Sequence, residues 1–259
     1  MTNWILCPIR NGREMTRAAL RTFLAQDIGD VGVLFIANAP DDGTLEMLSA
    51  YFDPRVHVSY RNPPLGVAAS WNAGLKWIWA QGAQYALVVN NDVELHPQTY
   101  RLLVEDGGPF VTAVGVKERA KYEAWCGTPV EPKRPHPDFS AYLIRREVWD
   151  KVGKFDEDYE GAYAEDSAYH LRMHRAEIHA YCLDLPFLHH ACGTIKHSSG
   201  DQASKISKEA DRGRAMFEAD FGCLPGTIEY EALFSPSTFG VDVSVTVDTN
   251  PHQVGKIPI

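Results

Sequence analysis

The N-terminal part of the chain alternates between short apolar runs and longer segments in which apolar residues recur every three or four positions. The short runs predict β-strands at Trp4–Ile9, Val33–Ala37, Val56–Tyr60 and Tyr85–Val89. The helical spacing predicts α-helices at Met15–Gln26, Thr44–Phe52 and Gly66–Gln81. Strands that alternate with helices in this way indicate βαβ units, so we predict an α/β fold with a mostly parallel sheet and helices on both faces.

The remainder of the chain has a more mixed pattern. It predicts strands at Val111–Val116, Ala141–Ile144 and His179–Leu183, and helices at Arg146–Val152, Glu165–Ala176 and Ala203–Phe221. After residue 234, valines at every second position indicate either a late strand or a tail used in oligomer contacts: Val241, Val243, Val245 and Val247. No internal repeat and no linker interrupts the earlier part. We therefore predict one domain over residues 1–234, followed by a C-terminal tail over 235–259.

Polar clusters follow three of the predicted strands at the point where each strand ends. They are Arg10–Gly12, Asn38–Gly43 and Asn90–Asp92. In open parallel sheets, ligands bind in the crevice outside the carboxyl ends of the strands. The pattern alone therefore predicts a ligand site at this edge.

Composition narrows the classes of function. A formal net charge of −9 argues against a general electrostatic grip on nucleic acid or on an anionic membrane, because phosphate binding depends on clustered Lys and Arg. No apolar stretch has the length of a membrane-spanning helix, and no basic segment precedes an apolar one at the N-terminus. Cysteines are odd in number, 5, and lack a CxxC pair, which favours reduced thiols. We expect a cytoplasmic protein without an integral membrane segment.

Four segments resemble, in the same order along the chain, the family 2 glycosyltransferases and their relatives. They are Trp4–Asn11, Leu65–Gly74, Val88–Val93 and the run from Arg145 through Gly153-Lys154-Phe155-Asp156-Glu157 to Glu165–Arg172. The resemblance covers residues 3–234. It implies a GT-A fold, which is a Rossmann-like sheet flanked by helices with a smaller mixed C-terminal part. It also implies transfer of a sugar, in the manner of a hexosyltransferase, from a nucleotide-diphosphate-sugar donor to an acceptor hydroxyl.

The resemblance implies a set of donor-binding residues: Pro8, Arg10, Asn11, Asn38, Asp41, Gly66, Asn72, Asn90, Asn91 and Lys196. Two of them depart from the family pattern. Asn90 stands at the first acidic position of the family's DXD motif, and Asn38 ends the second strand where many relatives carry an Asp against the nucleoside. Asp41 or Asp42 is the expected substitute for that Asp.

The resemblance also implies a divalent metal, Mn²⁺ or Mg²⁺. Asp92 takes the place of the last Asp of the DXD motif, which is the usual metal ligand, and His189 is the expected partner with His190 as the alternate. Hard cations of this kind prefer oxygen ligands and substrate phosphates. A structural zinc site is the alternative reading of one cluster, although its spacing lacks the usual short ligand pairs: Cys182, His189, His190, Cys192 and His197.

Two adjacent carboxylates, Glu165 and Asp166, open a predicted helix, where the helix dipole favours negative charge. An ionised carboxylate can take a proton from an acceptor hydroxyl. By resemblance Asp166 is the general base and Glu165 its structural or acceptor-orienting neighbour, and an in-line displacement would invert the anomeric carbon. Retention of configuration stays open, as does the reading that both residues only cap the helix.

The acceptor is open between a glycan, a protein, a small molecule and a modified nucleic-acid base. The loop Lys117–Asp138 carries Tyr122 and Trp125 among basic residues, and it is either the acceptor side or an ordinary solvated loop. Two other functions compete: a catalytically degenerate nucleotide- or sugar-binding module, which the change at Asn90 keeps open, and a sugar-1-phosphate nucleotidyltransferase. The second needs a Gly-rich loop after the first strand, where this chain has only Asn11-Gly12-Arg13. A G-x-G-x-x-G segment and a P-loop are both lacking.

Overall fold

The computed structural model describes residues 2–127, 130–134, 136–159, 164–190 and 200–234, and the side chains of 130–134 and 200–206 are not described. The predicted C-terminal tail from residue 235 onward lies outside these residues.

The first part of the chain folds as the alternation of strands and helices predicts. Its elements are β1 (Asn3–Ile9), α1 (Arg13–Leu24), β2 (Val31–Asn38), α2 (Thr44–Ser49), β3 (Val56–Arg61), α3 (Val67–Ala80) and β4 (Tyr85–Val89). Strand β1 pairs in parallel with β2 and with β4, and β2 pairs in parallel with β3. The predicted βαβ units are confirmed.

The second part departs from the sequence prediction in several places. Its elements are β5 (Val93–Glu94), α4 (Thr99–Asp106), β6 (Phe110–Val116), α5 (Arg119–Glu123), β7 (Val130–Arg134), β8 (Ala141–Arg145), α6 (Arg146–Val152), α7 (Glu165–Arg175), β9 (Ala180–His189), α8 (Gly200–Phe221) and α9 (Ile228–Ala232). The segment predicted as an irregular loop, Lys117–Asp138, contains α5 and β7. Strand β9 continues well past Leu183, and β5 with α4 was not predicted. Short elements of this kind form through tertiary pairing, which local periodicity does not report.

The described strands form one mixed sheet in the order β3-β2-β1-β4-β8-β6-β9-β5, and β7 pairs with β9. Strand β8 runs antiparallel between β4 and β6, whereas β6 and β9 are parallel. The predicted fold class, a mostly parallel α/β sheet flanked by helices with a mixed C-terminal part, is confirmed.

Helices cover both faces of the sheet. Alternate residues of β1 show this arrangement, because Ile5, Cys7 and Ile9 belong to one apolar cluster and Trp4 and Leu6 to the other. A strand with both faces buried is apolar along its whole length, which is why the strand runs are continuous in the sequence. A third cluster lies between α7, α8 and α9, around Leu171, Phe217 and Tyr230. Within the described part of the chain, every helix falls short of the length and apolar character needed to cross a bilayer.

Gly74 sets how closely α3 approaches β1. A Cβ atom added to Gly74 would overlap the Cδ1 atom of Leu6, whose side chain is fully buried and cannot retreat into solvent.

We predict that Gly74→Ala destabilises the protein by about 1–2 kcal/mol, because overpacking at Leu6 outweighs the helix propensity that alanine adds. The measurement is the free energy of unfolding in denaturant. The matched control is Gly29→Ala, since no heavy atom lies within 4 Å of a Cβ built at Gly29. A Gly74→Ala protein at least as stable as wild type would contradict this account of the α3–β1 contact.

Candidate functional site

The loops that follow β1 and β4 meet at the carboxyl edge of the sheet. The Asn91 amide donates from Nδ2 to the Asn11 carbonyl oxygen at 2.9 Å and to Thr16 Oγ1 at 3.0 Å. Gly12 turns the chain there with φ 103°, and a Cβ atom at this position would lie 2.7 Å from Met15 Cε and 3.2 Å from Asn91 Nδ2. Only glycine fits a left-handed turn this close to another side chain. The predicted meeting of strand ends is therefore present.

Pro8 lies where β1 and β4 separate. The ladder between these strands ends at Leu6, which pairs with Val88, while the ladder between β1 and β2 continues to Ile9. Proline has no N–H to donate to a neighbouring strand, so it suits the point at which pairing on one side stops. The crevice expected at the carboxyl edge of the sheet would therefore begin at this residue. Arg10, two positions further on, is exposed.

Asn11 and Asp41 join the loops after β1 and β2 by a reciprocal pair of hydrogen bonds. Asn11 Nδ2 donates to Asp41 Oδ1 at 2.7 Å, and the Asp41 backbone N–H donates to Asn11 Oδ1 at 3.0 Å. Asp41 is exposed. Its carboxylate therefore stands on the rim of the crevice.

Asp42 holds the turns instead. Its carboxylate accepts hydrogen bonds from the backbone N–H groups of Gly12 at 2.7 Å, Arg13 at 3.0 Å and Thr44 at 3.1 Å. Burial would raise the pKa of Asp42, but the hydrogen bonds from Thr44, Gly12 and Arg13 outweigh it and lower the pKa. Both acids that the sequence offered against the nucleoside are exposed, and they differ in their contacts. Asp42 accepts hydrogen bonds from three backbone N–H groups of the two turns, whereas Asp41 is bonded to Asn11.

Two amides predicted to bind the donor point into the protein. Asn38 donates from Nδ2 to Ser70 Oγ at 3.0 Å and accepts from the Leu65 N–H at 3.0 Å. These bonds tie the end of β2 to the start of α3. Gly66, the residue before α3, accepts from the Ser70 hydroxyl at 2.8 Å and so takes part in the same junction.

Asn72 clamps α3 to the segment after α6. Its Nδ2 donates to the Phe155 carbonyl oxygen and to Glu157 Oε1, both at 2.8 Å, and its Oδ1 accepts from the Phe155 N–H at 2.9 Å. Asn72 is 6% exposed and Phe155 is fully buried. The sequence showed that Asn72 and the Gly-Lys-Phe-Asp-Glu run occur together, but it did not show that they bind each other.

A short ladder brings Asp92 against β9. Val93 of β5 pairs with His189, and the His190 N–H donates to the Asp92 carbonyl oxygen at 2.9 Å. Asp92 Oδ2 then lies 3.5 Å from His189 Nε2. The hydrogen bond and the negative charge of Asp92 raise the pKa of His189 above its ordinary value. Asp92 is 8% exposed, so its carboxylate lies below the surface at the carboxyl edge of the sheet. Asn90 is half-buried on the same turn.

His190 faces a different carboxylate. Its Nε2 lies 2.7 Å from Glu94 Oε1, and the Arg119 guanidinium donates to the same oxygen at 3.0 Å. Successive residues of a strand point to opposite faces, which separates the two histidines. The structure therefore places His189, the first choice from sequence, beside Asp92, and it directs the alternate His190 to Glu94.

The described residues do not form the ligand cluster that a structural zinc site would need. In the part of the chain that is described, three or more His, Cys, Asp or Glu side chains do not come together as a metal-binding group. Cys182 is buried in β9, with Sγ 3.2 Å from the Ala113 carbonyl oxygen. Lys196, Cys192 and His197 lie outside the described residues.

The carboxylates Glu165 and Asp166 occupy the first turn of α7, as predicted. Ala164, just before the helix, has φ 73°, a left-handed conformation that costs a non-glycine residue about 1–2 kcal/mol. Asp166 Oδ1 accepts from the Ser167 N–H at 2.6 Å and from the Ser167 hydroxyl at 3.3 Å. Burial raises the pKa of Asp166 despite these bonds, and the charge of Asp138 adds to the rise. Glu165 is more deeply buried, at 5% exposed.

The aromatic residues of the predicted acceptor loop pack on their own surroundings. The Tyr122 hydroxyl donates to the Leu95 carbonyl oxygen at 2.9 Å, and the Trp125 ring meets the His96 ring edge-on at 4.5 Å between centroids. These contacts hold α5 beside β5. An acceptor role for the loop stays a prediction.

Residues 4–107 match the family model described as glycosyl transferase family 2. The resemblance drawn from the sequence is therefore confirmed over the part that carries β1 to α4. No curated protein matches the chain significantly in sequence.

Solved structures share the fold at low identity. The mannosyltransferase PcManGT from Pyrobaculum calidifontis, in complex with GDP-Man and Mn²⁺, is 15% identical, with 92% of this chain and 79% of that chain covered and a TM-score of 0.57. Staphylococcal (S. aureus) TarS 1-349 in complex with UDP-GlcNAc is 14% identical, with coverages of 90% and 78% and a TM-score of 0.53. GalNAc-T7 with UDP, GalNAc and Mn²⁺ is 12% identical, with coverages of 73% and 44% and a TM-score of 0.57. The fold is that of the GT-A glycosyltransferases.

We predict that Asn72→Ala lowers the free energy of unfolding by about 2 kcal/mol, because it leaves the buried N–H and C=O of Phe155 without partners. The affinity of the folded protein for nucleotides should change less than about two-fold, because the hydrogen bonds of Asn72 are made inside the protein. Thermal unfolding and nucleotide titration measure the two effects. Gln81→Ala, an exposed amide beyond the end of the same helix, is the matched control. A stable Asn72→Ala protein that binds nucleotide ten-fold more weakly would restore the donor-binding role predicted from sequence.

Proposed function

We propose that this chain is a metal-dependent glycosyltransferase that moves a sugar from a nucleotide-diphosphate-sugar donor to an acceptor hydroxyl. The observation that carries the proposal is the Asp92–His189 pair at the carboxyl edge of the sheet, beside the Asn91–Asn11–Asp41 chain of contacts. The family match over residues 4–107 supports it. So does the shared fold of proteins whose structures contain GDP-Man with Mn²⁺ or UDP with GalNAc and Mn²⁺.

The donor would lie across the crevice that opens at Pro8. Asp41 and Asn11 stand on its rim with Arg10, an exposed cation suited to phosphate. Asn90 and Asn91 follow β4 at its floor, and Lys196 is a further predicted contact. Asn38, Gly66 and Asn72 would keep the crevice in shape rather than touch the donor, because their described hydrogen bonds are internal.

The residues at Asp92 fit a divalent cation. A carboxylate oxygen of Asp92 and an imidazole nitrogen of His189 lie 3.5 Å apart at the carboxyl edge of the sheet. Mg²⁺ and Mn²⁺ are commonly held by one or two protein ligands plus substrate phosphates, so two side chains suffice. When bound, the ion would neutralise charge on the departing nucleoside diphosphate. The contact of His190 with Glu94 would keep β9 in the register that aims His189 at Asp92.

Asp166 is the proposed general base. Burial raises the pKa of Asp166, so its ionised carboxylate is a stronger base than that of an exposed Asp. A stronger base favours proton removal from an acceptor hydroxyl. The Ser167 hydrogen bonds orient the carboxylate. Glu165 beside it would orient the acceptor, and attack in line with the leaving group would invert the anomeric carbon. The acceptor, the cytoplasmic location and the oligomeric state stay predictions.

We predict that one nucleoside diphosphate or its sugar, among UDP, GDP, CDP and dTDP, raises the melting temperature only when Mn²⁺ or Mg²⁺ is present. A ligand at 100 times its Kd stabilises the folded state by about 2.7 kcal/mol. Asp92→Asn and His189→Gln should lose the metal-dependent part of the shift. His179→Gln, an exposed histidine, is the matched control, and His190→Gln tests the alternate ligand.

No shift with any nucleotide and metal would refute the donor site. A metal-dependent shift without any donor hydrolysis or transfer would favour the degenerate binding module instead.

We predict that Asp166→Asn lowers kcat by about 10²–10⁴-fold while donor affinity is kept, because the amide cannot accept the proton. Asp150→Asn, an exposed carboxylate on α6, is the matched control. In the wild type, activity should fall as the pH drops through the raised pKa of Asp166, above the ordinary Asp value of about 3.9. This fall is measured by steady-state rates between about pH 4 and pH 8, and a single titrating group should account for it over roughly two pH units. An Asp166→Asn rate within two-fold of wild type would remove Asp166 from the mechanism.

A further inference from the structure

The outer edge of β3 carries most of the exposed apolar surface of the described residues. Strand β3 ends the sheet order and pairs only with β2 among the described strands. Five of the six large apolar side chains that are exposed in this part of the molecule lie on or beside it: Tyr51, Phe52, Val58, Tyr60 and Trp77. Sheet edges of this kind are usually protected, and clustered exposed apolar side chains mark an interaction surface.

The two faces of β3 differ in chemistry. Val56, Val58 and Tyr60 point to one face, while His57, Ser59 and Arg61 point to the other, as alternation in a strand requires. A groove of about 420 Å³ runs along the second face between β3 and α3, with Trp77 on its far wall. His57 Nε2 and Arg61 Nε are buried there, and neither has a hydrogen-bond partner in the described part of the chain. This edge therefore offers one apolar face and one basic face.

The C-terminal tail has the matching pattern. Val241, Val243, Val245 and Val247 alternate with polar residues that include Asp242 and Asp248. Directly opposite residues of paired strands lie on the same face. A register that puts these valines beside Val58 and Tyr60 therefore puts the acidic residues on the face of Arg61.

We propose that the outer edge of β3 binds the tail segment Val241–Asp248 of a second copy of this chain, as an added strand. Main-chain hydrogen bonds along the edge would provide the affinity, and the two-faced match would set the register. Arg61 is aligned with Asn38 of β2, but the surface is the outer side of β3, whereas the Asp92–His189 pair lies beyond β4, three strands away in the sheet order. The inference therefore does not rest on the proposed function.

Distance favours a second copy over the chain's own tail. The last described residue, Phe234, stacks on His170 of α7 at 4.3 Å between ring centroids. Helix α7 packs over β6 and β8 through Tyr169. From β8 to β3 there are four strand spacings of about 4.8 Å, and α3, about 10 Å across, stands on the same face. The seven residue steps from Phe234 to Val241 span at most about 25 Å when fully extended, which is too short for four strand spacings plus a detour around α3.

Charge favours the tail over a second β3. Two β3 edges paired with each other would bring His57 and Arg61 of each copy to the same basic face, whereas Asp242 and Asp248 of the tail complement it.

The test is the self-association of the full chain, measured by sedimentation and light scattering over a range of protein concentrations. We expect a dimer that Val245→Asp weakens at least about ten-fold, because it places a charge on the apolar face. Thr246→Asp adds the same charge on the opposite face and should leave the dimer intact. Arg61→Glu should also weaken it, and combining Arg61→Glu with Asp242→Arg and Asp248→Arg should restore it. Melting temperatures of each variant verify that the monomer stays folded.

A wild-type chain that stays monomeric would overturn the proposal. So would a dimer that Val245→Asp and Thr246→Asp affect equally, since its interface would then lie elsewhere. Failure of the charge exchange to restore association would refute the pairing of Arg61 with the tail acids.

Discussion

The candidate site depends on a two-residue strand pairing. Strand β5 meets the end of β9 through Val93 and His189, and that pairing sets Asp92 opposite the His189 ring. β9 must run parallel to β6 for most of its length before its last residues reach β5 on the other side. The proposed metal ligands therefore exist as a pair only because the mixed second half of the sheet is registered correctly against the first. A slip of one residue would turn His190 toward Asp92 and His189 away from it.

Buried amides connect the elements around this pair. Asn91 joins the turn after β4 to the loop after β1, Asn38 joins β2 to α3, and Asn72 joins α3 to the segment before α7. Each bonds main-chain groups that are buried or partly buried, and leaving such a group without a partner is costly. The crevice is thus shaped by side chains whose sequence context resembles that of ligand-binding residues. Position in a motif indicates that a residue matters to the site, whereas the direction of its hydrogen bonds decides how.

The carboxylate at Asp166 belongs to a different part of the fold from the metal pair. It stands at the start of α7, after a left-handed Ala164, in surroundings dry enough to raise its pKa. Asp92 follows β4 of the parallel half of the sheet, whereas Asp166 lies in α7, which precedes β9 of the mixed half. An arrangement of this kind gives each carboxylate its own environment, so that Asp92 is paired with an imidazole and Asp166 has a raised pKa.

The sequence by itself determined the strand–helix alternation, the polar clusters at the strand ends and the position of Glu165 and Asp166 at a helix start. These follow from periodicity and from local helix electrostatics, which a single segment carries within itself. It also ranked His189 above His190 through resemblance. Only the tertiary structure decided that Asn38 and Asn72 turn inward, that Asp42 serves the turns while Asp41 reaches the rim, and that β5 and β7 join β9. Those outcomes depend on contacts between residues far apart in the chain. A local sequence pattern carries no information on the free energy of such contacts.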